Sequence, residues 1–187
     1  ILRLGGVGDE AVTDAVFETA RGRVSWLLLN LLTAISASLV IGLFDASIEK
    51  MVALAVLMPI VASMGGNAGT QTLTITVRAL ATQELLPVNT RRLIFRELGV
   101  GFLNGFVFAI ITGLVGGFWF DDGALGLVLA AAMVANLVVA AMAGILIPIG
   151  LYRINIDPAL ASSVFVTTIT DVIGFFAFLG FATIFLL

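Results

Sequence analysis

Asp157–Leu187 reads DPALASSVFVTTITDVIGFFAFLGFATIFLL. Asp157 can cap a helix, and Pro158 can occupy its first turn, where a missing N–H costs nothing. From Pro158 onward the only charged side chain is Asp171. The stretch is long enough to cross a bilayer, and a carboxylate near the middle of such a helix costs roughly 2.5–3.5 kcal/mol even on the most lenient scale. Ser163, Thr167 and Asp171 recur at i, i+4 and i+8, so they share one helix face, with Thr170 and Gly174 beside it. Two readings compete: a buried acid satisfied by neighbouring hydroxyls, and a functional group on an ion path. Intramembrane ionisable groups are functional by default, which favours the second.

The rest of the chain has the same apolar character. Of 187 residues, 60% are hydrophobic and 11% charged, with mean hydropathy +1.19. These values predict an all-α polytopic membrane protein with room for five transmembrane helices at about 20 apolar residues each. The apolar runs are continuous and too long for β-barrel strands. Spans are expected at 24–44, 51–80, 98–120, 124–151 and 158–187. Between them lie a short loop at 45–50, a charged connector at 82–97 that holds Pro87, Arg91, Arg92, Arg96 and Glu97, and a turn at Asp121–Gly123. Residues 1–22 precede the membrane. There Val12, Ala15, Val16 and Thr19 recur at helical spacing opposite Asp14 and Glu18, which predicts a short amphipathic cytosolic helix, opened by Asp9, leading into one five-helix domain at 23–187. The first apolar run exceeds a signal-peptide core, so no cleavable signal is expected.

The second span is not uniform. Pro59 removes one helical hydrogen bond and frees the Ala55 carbonyl. Met64–Gln71, MGGNAGTQ, has three glycines that either weaken the helix or let another backbone come close. Asn67, Gln71, Thr74 and Arg78 follow at i, i+4, i+7 and i+11, a polar stripe descending to an arginine; interrupted helices that line a water-filled path look like this. The competing reading of Asn67 is amide glue between helices. Gly101 and Gly105 form a GxxxG face in the third span. Ala131, Ala132, Ala135, Ala140 and Gly144 mark the fourth as close-packing, with Asn136 its only strongly polar interior side chain.

Cysteine and histidine are both absent, which removes the usual ligands of zinc and copper. The available donors are oxygens, which suit Mg²⁺, Ca²⁺, Mn²⁺, alkali ions or protons. A net charge of -3 without a basic stripe offers nothing to nucleic acid. An intramembrane enzyme is disfavoured: a serine mechanism lacks its histidine base, and an aspartyl mechanism needs two acids where each chain has one deep Asp. One interior carboxylate is also too little for a desolvated dication. Two chains related by a two-fold axis would bring two Asp171 side chains together, and a dication would relieve their repulsion. Mg²⁺ dehydrates reluctantly, so a wide, hydroxyl-lined site with few charges suits hydrated Mg²⁺ better than stripped Ca²⁺.

Pro59–Ala81, PIVASMGGNAGTQTLTITVRALA, resembles the MgtE family of Mg²⁺ channels. So do RVSWLLLNL at the start of the first span, ELGVGFLNG around Glu97, and DPALASSVFVTTITDVIGFF in the fifth. The resemblance covers nearly all of the chain after residue 20, in order. It implies a homodimeric five-span domain with a pore at the two-fold axis, Asp171 binding hydrated Mg²⁺, and Thr167 contributing its backbone carbonyl. Ser163 falls where some members carry Asn, and Asp157 matches a cytosolic acid that helps bind regulatory Mg²⁺. Mn²⁺, Co²⁺ or Ca²⁺ would compete for the same path. Family members usually carry an N-terminal helical domain and paired CBS domains that sense cytosolic Mg²⁺. Residues 9–21 look like the helix that joins those to the pore, and with Ile as first residue the expectation is a piece of a longer protein.

The runner-up function is a proton-coupled divalent cation carrier with Asp171 as the protonating group. A structural subunit held by small-residue contacts accounts for the glycines but not for Asp171. Orientation follows from the basic residues. Five spans put Arg3, Arg21, Arg23, Arg78, Arg91, Arg92, Arg96 and Arg153 on one side and Lys50 alone on the other, so the N-terminus is expected in the cytosol and the C-terminus outside a prokaryotic plasma membrane. Asp45, Glu49, Asp121 and Asp122 would then raise the cation concentration at the outer face. A cysteine placed at Asp122 should be labelled from outside intact cells and one at Thr90 should not; the reverse pattern would overturn the orientation.

Overall fold

The computed structural model describes residues 15–83 and 87–187. Arg3, Asp9, Val12 and Asp14, on which part of the N-terminal reading rests, lie outside the described residues. Six helices follow one another: α1 Val16–Gly42, α2 Asp45–Lys50, α3 Ala53–Ala81, α4 Pro87–Phe120, α5 Gly123–Arg153 and α6 Pro158–Phe185. All except α2 are long and apolar enough to cross a membrane, so the chain is a multi-pass membrane protein.

Three local expectations need correction. The loop expected at 45–50 is the helix α2. Its Asp45 and Lys50 match the helix dipole at opposite ends, and its Ser47 Oγ lies 2.8 Å from Thr183 Oγ1 at the end of α6. The connector expected to run to residue 97 is helical from Pro87, because charges interrupt hydrophobicity but not helical hydrogen bonding. The Pro59 and MGGNAGTQ region does not interrupt α3, which runs unbroken through both. The glycines serve close approach instead. A Cβ on Gly144 of α5 would stand 2.8 Å from the Gly69 carbonyl oxygen of α3, so the two backbones touch there.

Turn chemistry fixes the hairpins. Asp121 takes φ 51° after α4, and Asp122 caps α5 by accepting from the backbone N–H of Ala124 at 2.9 Å and Leu125 at 3.0 Å. Asn155, at φ 59°, turns the chain between α5 and α6, where short polar side chains tolerate left-handed backbone. Asp157 then caps α6 through Ala159 N–H at 2.9 Å, with Pro158 in the first turn.

α5 is the spine, packed against α3, α4 and α6. Its small residues form a surface on which three helices lie close. Leu54, Leu57 and Val61 of α3, Leu125, Leu129 and Ala132 of α5, and Phe178 and Leu179 of α6 make one buried core toward the α4–α5 turn. α1 packs chiefly on α6 and leaves Leu27, Leu31, Leu32 and Leu39 exposed, as a lipid-facing helix does.

The Gly101/Gly105 face packs within the chain. A Cβ at Gly101 would meet Ala141 Cβ at 2.8 Å and the Leu137 carbonyl oxygen at 3.1 Å; one at Gly105 would meet Val134 Cα at 3.2 Å. Gly101→Leu should therefore cost about 1–3 kcal/mol through overpacking, read as a lower thermal midpoint in detergent with the oligomeric state unchanged. Unchanged stability with altered stoichiometry would place this face between chains.

Candidate functional site

Thr167 and Asp171 of the fifth-span stripe meet Asn67 of the second-span stripe. Ala62, Ser63, Gly66, Asn67 and Thr70 of α3 and Thr167 and Asp171 of α6 line a single polar groove of 370 Å³. Gly69 of α3 brings the two helices close: a Cβ there would collide with Val166 of α6, whereas one at Gly66 would make only ordinary contact, 3.8 Å from Thr167 Cγ2. Without a side chain at Gly69, the helices cross closely enough for Asn67 and Asp171 to share one space.

The two threonine hydroxyls of the groove use their protons within their own helices. Thr70 donates to the Gly66 carbonyl at 2.8 Å, and Thr167 to the Ser163 and Val164 carbonyls, each at 3.0 Å. A threonine oxygen that donates to its own helix keeps lone pairs for accepting. Together with the Asp171 carboxylate, the wall is rich in acceptors. That suits a ligand whose outer surface donates hydrogen bonds, as the water shell of a cation does. Among the described residues, no three His, Cys, Asp or Glu side chains gather, so one chain has no cage for a stripped divalent ion.

The other candidate residues lie apart from this groove. Thr170 is fully buried, donates to the Thr167 carbonyl at 2.9 Å and packs toward Gly69. Gly174 is buried against Asn136 of α5. Both lie on the packed side of α6, because a shift of three residues from the stripe rotates a side chain by about 60°. The Ser163 carbonyl accepts from Thr167 one turn below Asp171. Asp157 caps α6 some 14 residues earlier, about 21 Å along the helix. Thr74 is exposed one turn beyond Thr70, to whose carbonyl it donates at 2.8 Å.

Gln71 takes a different direction from Asn67. It lines a separate cavity of 120 Å³ between α3, α4 and α5, with Thr72, Arg96, Glu97 and Asn104. Glu97, read from sequence as part of a charged connector, is only 3% exposed. Its carboxylate accepts from Thr72 Oγ1 at 3.1 Å and lies 3.7 Å from Arg96 Nε. The signal was present: Glu97, Gly101 and Gly105 are spaced i, i+4, i+8, so Glu97 shares the face that packs on α5. Ser63 and Thr70 were also missed. They flank Asn67 at i−4 and i+3, the positions that share its face. A larger groove of 690 Å³ between α4 and α5 is walled mainly by Phe106, Ile110, Leu114, Phe118 and Leu127, apolar groups suited to lipid.

Comparison with known proteins places this arrangement. The sequence profile of the MgtE family, described as a divalent cation transporter, matches residues 58–181, which contain every residue of the polar groove. The magnesium transporter MgtE of Bacillus subtilis is 34% identical over 92% of this chain and 40% of the relative's length. That of Thermus thermophilus is 35% identical over 100% of this chain and 42% of its own, and that of Enterococcus faecalis 33% over 98% and 40%. The chain spans about two fifths of the length of these curated relatives. With a family match over most of its length and the groove inside that match, the chain belongs to the MgtE family of divalent cation transporters.

Proposed function

We propose that the chain is the membrane pathway of a Mg²⁺ channel, in which two copies face each other across the α3–α6 groove and conduct hydrated Mg²⁺ into the cytosol. The observation that carries this reading is the groove's position. Ser63, Asn67 and Thr70 are exposed on the flank of a helix bundle whose other outer faces are largely apolar. Hydrocarbon cannot satisfy those groups or the Asp171 carboxylate; water between two protein walls can.

Size and charge agree with a hydrated ion. Six waters at about 30 Å³ each come to about 180 Å³, within the 370 Å³ that one chain provides. A carboxylate and a metal separated by one shared water stand about 5 Å apart, where a unit charge gains about 3 kcal/mol at an effective dielectric near 20. A dication gains about twice as much from each of two Asp171 side chains as a monovalent ion does, which is a basis for selectivity without dehydration. Asn67 and the threonine oxygens would orient the shell, and the Thr167 carbonyl, already holding Thr170 Oγ1 at 2.9 Å, would lie one turn below the carboxylate. The names of the relatives support Mg²⁺ as the cargo, and the basic-residue asymmetry supports a cytosolic N-terminus.

Asp171→Asn keeps shape and removes two charges from a dimer. In liposomes it should reduce Mg²⁺ flux about tenfold or more and lose most of the selectivity over K⁺, with folded yield equal to wild type or higher. A well-folded variant with wild-type flux and selectivity would end this reading. Flux that dissipates a pH gradient would replace the channel with a proton-coupled carrier. Asn67→Leu should lower flux per folded molecule while the yield holds; a fall in yield alone would make Asn67 structural.

The dimer has its own test. A cysteine at Ser63 should be joined to its copy in the second chain by a flexible bis-maleimide in native membranes, since a path wide enough for a hydrated ion is too wide for a direct disulfide, and light scattering in nanodiscs should give two chains per particle. A monomer by both measurements would leave the groove without its second wall.

A further inference from the structure

The amide of Asn136 joins the two helices that carry the groove. Asn136 lies near the middle of α5 and is 0% exposed. Its Nδ2 donates to the Val61 carbonyl of α3 at 2.8 Å. The side chain fills a slot between two glycines. A Cβ at Gly174 of α6 would stand 2.7 Å from Nδ2 and 3.0 Å from Cγ, and a Cβ at Gly65 of α3 would collide with the same amide. The slot is close to the groove along both helices. Gly65 precedes Asn67 by two residues and Gly174 follows Asp171 by three, about 3 Å and 4.5 Å of rise.

Packing alone does not account for an asparagine here. Among the described residues its Oδ1 is buried with no hydrogen-bond partner, a cost that an apolar side chain in the same slot would not carry. The amide adds direction. A hydrogen bond to Val61 ties the rotation and height of α3 to one carbonyl of that helix, a directional restraint added to the close packing around it. The glycines on either side transmit the width of the amide to the spacing of α3 and α6.

We infer that Asn136 is a positioning residue for the cation path: wedged between Gly65 and Gly174 and bonded to Val61, it sets the separation of Asn67 from Asp171. This rests on the reading of the groove as the path of a hydrated divalent ion. An outer-sphere site is sensitive to such a setting, because each wall must reach the same water shell. Asn136 touches neither the groove nor the ion, so its effect should appear in cation affinity rather than only in stability.

The test uses the full chain in liposomes, with Asn136→Ala, Gly174→Ala and their combination beside wild type and Asp171→Asn. Folded yield and Mg²⁺-free thermal midpoint are measured on each sample. Asn136→Ala should raise the half-saturating Mg²⁺ concentration about tenfold and lower the preference for Mg²⁺ over K⁺, with maximal flux per folded molecule reduced less. Gly174→Ala keeps the amide and presses one methyl against it, so it should shift affinity in the same sense. Adding Asn136→Ala to Gly174→Ala removes that clash, so the pair should be no worse than Asn136→Ala alone. Lower thermal midpoints with unchanged half-saturation would make Asn136 a core residue and overturn the inference. So would failure of both single variants to fold, since the role would then be stability. If wild type carries no Mg²⁺, or Asp171→Asn behaves as wild type, the proposed function falls and this inference with it. If Asp171→Asn loses selectivity while the Asn136 and Gly174 variants keep wild-type affinity, only the positioning role falls.

Discussion

The whole arrangement depends on one constraint: a polar group at membrane depth needs a polar partner, because hydrocarbon offers none. Five apolar helices could associate in many ways with similar dispersion energy. Most of those ways would leave Asp171, Asn67 and the threonines between them against lipid. The observed packing gathers these groups in one groove on the bundle's flank, where a single second protein wall would close them off, and turns the leucines and phenylalanines of α1 and α4 outward. The threonines resolve part of the constraint locally, by donating to carbonyls one turn back on their own helices. That leaves the threonine oxygens and the Asp171 carboxylate as acceptors facing the groove, a wall able to hold the water shell of a cation.

Small residues make the geometry attainable. In a bilayer, helix association relies on close packing, and close packing needs surfaces without bulk. α5 provides one, with Ala132, Ala140, Ala141 and Gly144 all buried. α3 meets it through Gly65 and Gly69, α4 through Gly101, Gly105 and Gly113, and α6 through Gly174. Because these glycines face partner helices, α3 has no need to break at them, and the helix stays continuous past Pro59. The buried amide of Asn136 then distinguishes one register among those that small residues alone would permit.

Glu97 shows how charge can mislead. It stands next to Arg96, near Arg91 and Arg92, and by composition belongs to a cytosolic connector. The helix nevertheless starts at Pro87, and by Glu97 it has reached the packed interior, with Thr72 as a partner. Arg96 is 66% exposed while its neighbour is 3% exposed, since adjacent helical residues point about 100° apart. Periodicity placed Glu97 on the same face as Gly101 and Gly105, and periodicity was the better guide.

The sequence by itself determined the number of membrane helices, most of their ends, the isolation of Asp171 and the face of α6 it occupies. These follow from quantities local to one segment: apolar length, capping residues and a spacing of 3.6 residues per turn. Family membership was legible for a similar reason, because MGGNAGTQ and the fifth-span pattern concentrate unusual residues in a short space. Only the tertiary structure decided which polar faces meet. Asn67 and Gln71 belong to one stripe in sequence, yet Asn67 opens on the Asp171 groove and Gln71 on the Glu97 cavity. Thr170 and Gly174 border the Asp171 stripe, yet they turn into the bundle. A helix offers several polar directions, and which of them faces a given neighbour depends on crossing points set by glycines on other helices. That is a property of pairs of segments, and no single stretch of the chain contains it.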